Sequence, residues 1–352
     1  MKKNRKLSAV AAVSAVALVF TGVGGTTANA AGEKITFIQG VAGDAFYITM
    51  GCGIAEAAAK AGATITTQGG AKWDATVQKP VLDSVIASKP DAILIAPNDK
   101  TALQKPIETA IAAGIKVVLV DTTIDNPEPA VAEIASDNYG GGKAAFAAVQ
   151  QLQPKGGKVL VVSTDPGVSS VDARVGGFAD AANKNKKFNY IGVQYSHNDP
   201  ATAQRIITAA LAKNKDIVAV FATNLFSAQG VATGIKQAGK AGKISVVGFD
   251  AGSDQVKALK AGVVQALIAQ QPATIGSKGI EAAVTGRTLF GNIWHPEQNI
   301  SVDEALKCYT SRAAYGMFME NEIGKLEPGM RADFELLNED ILKKAPKDWK
   351  QV

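Results

Sequence analysis

The chain has 352 residues, with 37 Lys and Arg against 32 Asp and Glu, 2 His and 2 Cys. Four of the positive charges (Lys2, Lys3, Arg5 and Lys6) stand within the first six residues, and without them the balance is 33 to 32. That leaves no basic excess to attract nucleic acid, and Cys52 with Cys308 is too little for a disulfide scaffold.

Taken in chain order, the cationic start is followed by an apolar run from Leu7 to Phe20 and by Ala28-Asn29-Ala30. This is the pattern of an export signal with cleavage after Ala30, and the run is too short to span a bilayer comfortably. No cysteine stands near that site to carry a lipid. Residues 1–30 are therefore read as a signal peptide, and the mature protein as a soluble one, periplasmic or extracellular. About 320 remaining residues suffice for two cores of ordinary domain size.

From Lys34 onward, apolar runs alternate with Ala-rich stretches. The runs Ile35–Gln39, Thr64–Thr67, Ala92–Ala96, Val117–Val120, Lys158–Ser163, Tyr190–Gln194, Ala219–Ala222, Ser245–Phe249 and Val264–Ala269 read as strands covered on both faces. Between them, i, i+3, i+4 spacing predicts helices such as 46–61, 75–88, 101–113, 138–151, 201–214 and 253–261. Asp199-Pro200 is a cap followed by proline at the first helical position. Gly62, Gly114, Gly239 and Gly262 stand just past helix ends, where a left-handed residue is wanted. Some nine βα units predict parallel, doubly wound sheets. The alternation breaks around Glu133–Asn138, after Asp125-Asn126-Pro127-Glu128-Pro129, then restarts. That rhythm suggests two similar lobes, with a ligand between the carboxyl ends of their strands.

Seven pieces in this order carry a resemblance: Asp44-Ala45-Phe46-Tyr47, Val120-Asp121, Ile134-Ala135-Ser136-Asp137-Asn138, Asp172-Ala173-Arg174-Val175-Gly176-Gly177-Phe178, Val220-Phe221-Ala222-Thr223-Asn224, Val246-Val247-Gly248-Phe249-Asp250 and Ile268-Ala269-Gln270. Over residues 34–290 the chain resembles the type I periplasmic sugar-binding proteins of ABC importers, of the ribose-binding kind. The resemblance implies an α/β fold of two Rossmann-like lobes with a three-crossing hinge near 136–138, 270–272 and just after 290. Residues 33–136 with 271–290 would form the first lobe, and 137–270 with about 291–299 the second. It also implies a monomer without cofactor or metal. The monomer would capture a monosaccharide or sugar alcohol by hinge closure and deliver it to a permease and ATPase complex; a chemoreceptor or sensor kinase is the alternative partner.

The family's contact positions carry side chains suited to a sugar. Asp121 and Asp250 accept from neighbouring hydroxyls, Arg174 and Asn224 donate, and Gln270 does either. Phe46 and Tyr47 lie against C–H faces. Asp44, Ser136 and Asn198 are further candidates, each beside a turn or a cap that also explains it, and Trp73, in a Gly-rich loop after the second strand, is a candidate rim aromatic. Two departures stand out. Gly43-Asp44-Ala45 replaces the family's usual Asn pair and Pro, and Thr122 stands where an Arg often follows the fourth-strand aspartate. Ribose is therefore one candidate among pentoses, hexoses and polyols.

From about Ile300 the composition turns charged, and the stretch Ile323-Gly324-Lys325-Leu326-Glu327-Pro328-Gly329-Met330-Arg331-Ala332-Asp333-Phe334 resembles the extreme C-terminus of metal-dependent amidohydrolases. An α+β tail over 300–352, of unassigned role, is expected. His197 and His295 are the chain's only histidines and no His-x-His occurs, so hydrolase chemistry is not expected. Repressor cores share the two-lobed fold, but a helix-turn-helix would have to stand where the export signal is read.

Overall fold

A computed structural model describes residues 32–285. The signal peptide, the third hinge crossing, Cys308 and the C-terminal tail lie outside the described residues. Cys52 is free and exposed.

The first lobe runs β1 (Lys34–Gln39), α1 (Ala45–Ala61), β2 (Thr64–Gly69), α2 (Ala75–Ser88), β3 (Ala92–Ile95), α3 (Gln104–Ala112), β4 (Lys116–Val120) and β5 (Ala132–Ile134). The second runs α4 (Asn138–Leu152), β6 (Gly157–Ser163), α5 (Ser169–Lys184), β7 (Phe188–Tyr195), α6 (Pro200–Lys213), β8 (Ile217–Ala222), α7 (Leu225–Gln237), β9 (Ser245–Phe249), α8 (Ser253–Lys260) and β10 (Ala266–Ile268). The last helix among the described residues, α9 (Pro272–Thr285), crosses back and packs on α1, β3 and β4. Its contact with α1 is close enough that a Cβ on Gly53 would collide with the Ala273 backbone.

Both sheets are parallel and five-stranded, ordered β2-β1-β3-β4-β5 and β10-β9-β8-β6-β7. Renumbered from β6, the second order is the reverse writing of the first, so the lobes share one topology. The unbroken apolar runs of the central strands feed two cores each, because alternate side chains leave opposite faces. In β4, Val118 and Val120 join the core under α1 and α9, while Val117 and Leu119 join the one under α2 and α3. In β6, Leu160 and Val162 face one side and Val159 and Val161 the other.

Three local expectations differ. The break at 133–138 contains β5, a three-residue edge strand too short to show a run. β2 is an edge strand with mostly exposed residues, not one covered on both faces. Helix α3 begins at Gln104 rather than Thr101, because the Asp99 carboxylate takes the Thr101 and Ala102 amides and holds them in a turn. The expected left-handed glycines 62, 114, 239 and 262 have φ of 70°, 81°, 63° and 69°, and Asp199 caps α6.

Candidate functional site between the lobes

Strands β4 and β9 occupy equivalent places in their sheets, and each ends in an aspartate. Asp121 and Asp250 take left-handed φ of 66° and 75°, a conformation costing about 1 kcal/mol or more outside glycine, though Asp tolerates it better than most residues. In both, the amide donates to the neighbouring edge strand, Asp121 N to Ile134 O at 2.9 Å and Asp250 N to Ile268 O at 2.8 Å. The turn aims each carboxylate past the strand end into the crevice between the lobes.

The lobes touch around that crevice. Lys100 N donates to Gly167 O at 3.0 Å and Thr123 N to Ser169 Oγ at 2.8 Å. A small cavity lies between them. Asp44, Phe46, Tyr47, Trp73 and Asp121 line it from the first lobe, and Arg174, Asn198, Asn224, Asp250 with Gln270 from the second. Ten of the eleven candidate residues therefore converge. The exception is Ser136, which is not in the lining: it donates to Gln270 Oε1 at 2.7 Å, and Gln270 Nε2 donates to Asp250 at 2.7 Å.

Helix α1 delivers the aromatic wall. Asp44 caps it through Oδ1, which accepts from Phe46 N at 2.8 Å. Phe46 and Tyr47 meet edge to face at 5.2 Å, and Trp73 stacks on Tyr47 at 6.2 Å. Gly40 makes room for this stack, since a Cβ there would collide with the Trp73 ring and the Tyr47 hydroxyl. Tyr47 Oη donates to Asp121 Oδ2 at 2.8 Å.

Arg174, 3% exposed, reaches in from α5. Its guanidinium lies 3.8 Å above the Phe249 ring, Nε donates to Asn138 Oδ1 at 2.9 Å and Nη1 to Thr223 O at 2.8 Å. Nη2 is buried with no protein partner, as are Trp73 Nε1 and Thr164 Oγ1. Asn224 spends its oxygen on the Ser227 amide, capping α7, and its nitrogen on Asn198 Oδ1. Asn224 is thus both the N-cap of α7 and part of the lining.

Burial dominates the electrostatics. It raises Asp121 to about 6, against the lowering effects of Arg174 and the Tyr47 hydroxyl. It also raises Asp250, opposed by Arg174 and Gln270. Asp44 is pushed up to about 7 by burial, opposed by the Phe46 amide and reinforced by Asp250 and Asp121. Burial likewise lowers Arg174, which the neighbouring carboxylates of Asp250 and Asp121, and the Tyr47 hydroxyl, counter.

Thr164, Val168, Ser170 and Val171 also line the cavity and were not anticipated. Ser170 and Val171 precede Arg174 by four and three residues on α5, hence share its helix face; that spacing was the available signal.

A periplasmic binding protein domain model matches residues 35–285. The chain belongs to the periplasmic binding protein domain family. Within it, the ribose import binding protein of Bacillus subtilis strain 168 is 32% identical over 238 residues, 68% of this chain and 76% of the relative. A solute-binding protein of an ABC transporter from Agrobacterium vitis, solved with α-D-tagatopyranose, superposes at TM-score 0.71 with 41% identity, covering 74% of this chain and 92% of that one. A second from that organism, solved with D-fucose, gives 0.70 and 32%, covering 77% and 98%. An amidohydrolase family model matches residues 276–352, of which 276–285 belong to α9. Among the described residues no helix is long and apolar enough to cross a membrane.

Proposed function

We propose that the protein is the exported solute-binding component of an ABC importer, capturing one monosaccharide or sugar alcohol between its lobes. The observation that carries this reading is the composition of the cavity: three carboxylates, a buried guanidinium with an unpartnered nitrogen, and three aromatic rings, drawn from both lobes. Carboxylates accept from vicinal hydroxyls, the free Arg174 and Trp73 N–H groups donate to sugar oxygens, and the rings cover C–H faces.

Because the contacts come from both lobes, a ligand holding all of them favours the closed arrangement over an open one, and only such differential contact drives closure. The hinge passes through 135–137 and 269–271, between β5 and α4 and between β10 and α9. The closed lobe tips are the surface for the importer's membrane subunits. The protein acts as a monomer, uses no cofactor, and leaves its ligand chemically unchanged.

The test is a thermal-shift and calorimetric screen of D-ribose, D-tagatose, D-fucose, D-glucose and D-sorbitol. A true ligand at a hundredfold excess over its Kd stabilises by about 2.7 kcal/mol. A panel without any shift or heat sinks the reading. N-terminal sequencing of secreted protein should begin at Ala31.

A further inference from the structure

Three carboxylates reach the cavity from three elements: Asp44 from the N-cap of α1, Asp121 from the end of β4, and Asp250 from the end of β9. Among the residues lining it, Arg174 is the one cation. The three are not equally supported. Asp121 has the Tyr47 hydroxyl and Asp250 the Gln270 amide, and Arg174 counters the burial of both. Asp44 has only the Phe46 backbone amide, and the charges it feels are the two other carboxylates. One guanidinium offsets two of the three charges and leaves Asp44 as the uncompensated one. The amide fixes Oδ1 as an acceptor, so a proton on this carboxyl belongs on Oδ2, the oxygen left for a ligand.

We propose that Asp44 is a specificity-determining acid: in the closed, occupied cavity it holds a proton on Oδ2 and donates it to a sugar oxygen, so that capture of a neutral sugar takes up one proton from solvent. This rests on the sugar-binding reading above and adds a selection rule to it. The ligand presents hydroxyl hydrogens to Asp121 and Asp250 but a lone pair, from a ring or hydroxyl oxygen, to Asp44. The groups facing Asp44 agree on the direction. Burial, Asp250 and Asp121 all disfavour its charged form, against the single Phe46 amide, while Tyr47 and Arg174 engage the neighbouring Asp121.

The sign follows from linkage. An open lobe returns Asp44 toward the ordinary carboxylate value of about 3.9, while the closed cavity holds it at about 7. The closed form binds more protons, so affinity is highest at low pH, falls as pH rises through that window, and levels off above it. Between pH 6 and pH 8 the fall is roughly tenfold.

The experiment is calorimetric titration of the protein with the tightest binder of the panel above, at pH 6 in two buffers of different ionisation enthalpy, repeated for Asp44→Asn. Asparagine keeps the capping oxygen. The expected result is a proton uptake larger in the wild type than in the variant by close to one proton. What remains in the variant is the smaller uptake of Asp121, which burial holds at about 6, so its affinity should fall less between pH 6 and 8 than that of the wild type. Wild-type binding with buffer-independent heat, or with unchanged affinity across that range, overturns the proposal even if the variant does not fold. Uptake as large in Asp44→Asn as in the wild type overturns the assignment to Asp44. Failure of every panel sugar to bind at any pH removes the sugar-binding reading itself, which is a different result.

Discussion

The two lobes are built on one plan and equipped differently. Each has its five strands in the same order and ends its fourth strand in a left-handed aspartate tied to the fifth strand. Around that shared device the first lobe gathers two carboxylates and three aromatic rings, and the second gathers a guanidinium, amides and one carboxylate. The backbone therefore fixes where charge meets the crevice, while a few side chains on the following helices decide what that charge can bind. A ligand that bridges the lobes meets an apolar, acidic wall on one side and a donor-rich wall on the other.

The sharpest way to break this division is to remove the second lobe's cation. Arg174→Met should weaken sugar binding at least a hundredfold, measured by calorimetry. It leaves Asp121 and Asp250 buried without the charge that offsets them, a situation worth about 3–5 kcal/mol. Arg174→Lys should not rescue it, because one ammonium cannot reproduce a fork that serves Asn138, the Thr223 carbonyl and the cavity together. Equal affinity in the wild type and Arg174→Met would mean the second lobe contributes no charge to recognition.

A smaller effect tests whether the twin aspartates are equivalent. Asp121→Asn and Asp250→Asn should each weaken binding by tenfold or more, since a hydrogen bond to a charged group is worth about 1.5–3 kcal/mol. Asn accepts the left-handed φ, so the backbone device survives and only the charge is lost. Stability of the closed, sugar-saturated protein moves the other way. With Asp121 raised to about 6 from about 3.9 unfolded, the folded state binds more protons, so stability falls as pH rises through that interval. Thermal melts at saturating sugar should therefore show Asp121→Asn gaining on the wild type at pH 8 relative to pH 4. The opposite trend would place the carboxylate in a far better solvated position than the one described.

Much of this was legible in the sequence for a physical reason. Central strands must be apolar on both faces, so β1, β3, β4, β8 and β9 announced themselves, and with them the aspartates at two of their ends. Helix caps were equally local: Asp199 before Pro200 needs nothing beyond its neighbours. What stayed hidden depends on tertiary placement. Edge strand β5 is three residues long and partly exposed, so no periodicity marks it. Thr164 and Val168 lie in the loop between β6 and α5, and nothing local says that the loop faces the other lobe. Ser136 stands among the candidate contacts, yet its side chain reaches Gln270 rather than the cavity.

The donors that hold each aspartate allow a finer comparison. Tyr47→Phe removes the hydroxyl from Asp121 and keeps the aromatic wall, and should weaken binding about fivefold, the worth of roughly 1 kcal/mol for one hydrogen bond. Gln270→Leu should do more, because Gln270 both supports Asp250 and lines the cavity itself. If the two changes cost the same, Gln270 is acting only as a support.

Ser136 gives the smallest and most discriminating effect. It contributes no surface to the cavity, so any influence on binding must pass through Gln270, whose Oε1 it holds and whose Nε2 is thereby turned toward Asp250. Ser136→Ala should cost only about two- to threefold in affinity, since the amide is still anchored at its other end. The informative quantity is its coupling. In the Gln270→Leu background the serine has nothing left to orient, and the same substitution should leave affinity unchanged, within the roughly 0.3–0.5 kcal/mol to which independent changes add. Equal losses in both backgrounds would mean that Ser136 acts instead on the hinge crossing where it stands, altering how readily the lobes close rather than how Asp250 is presented.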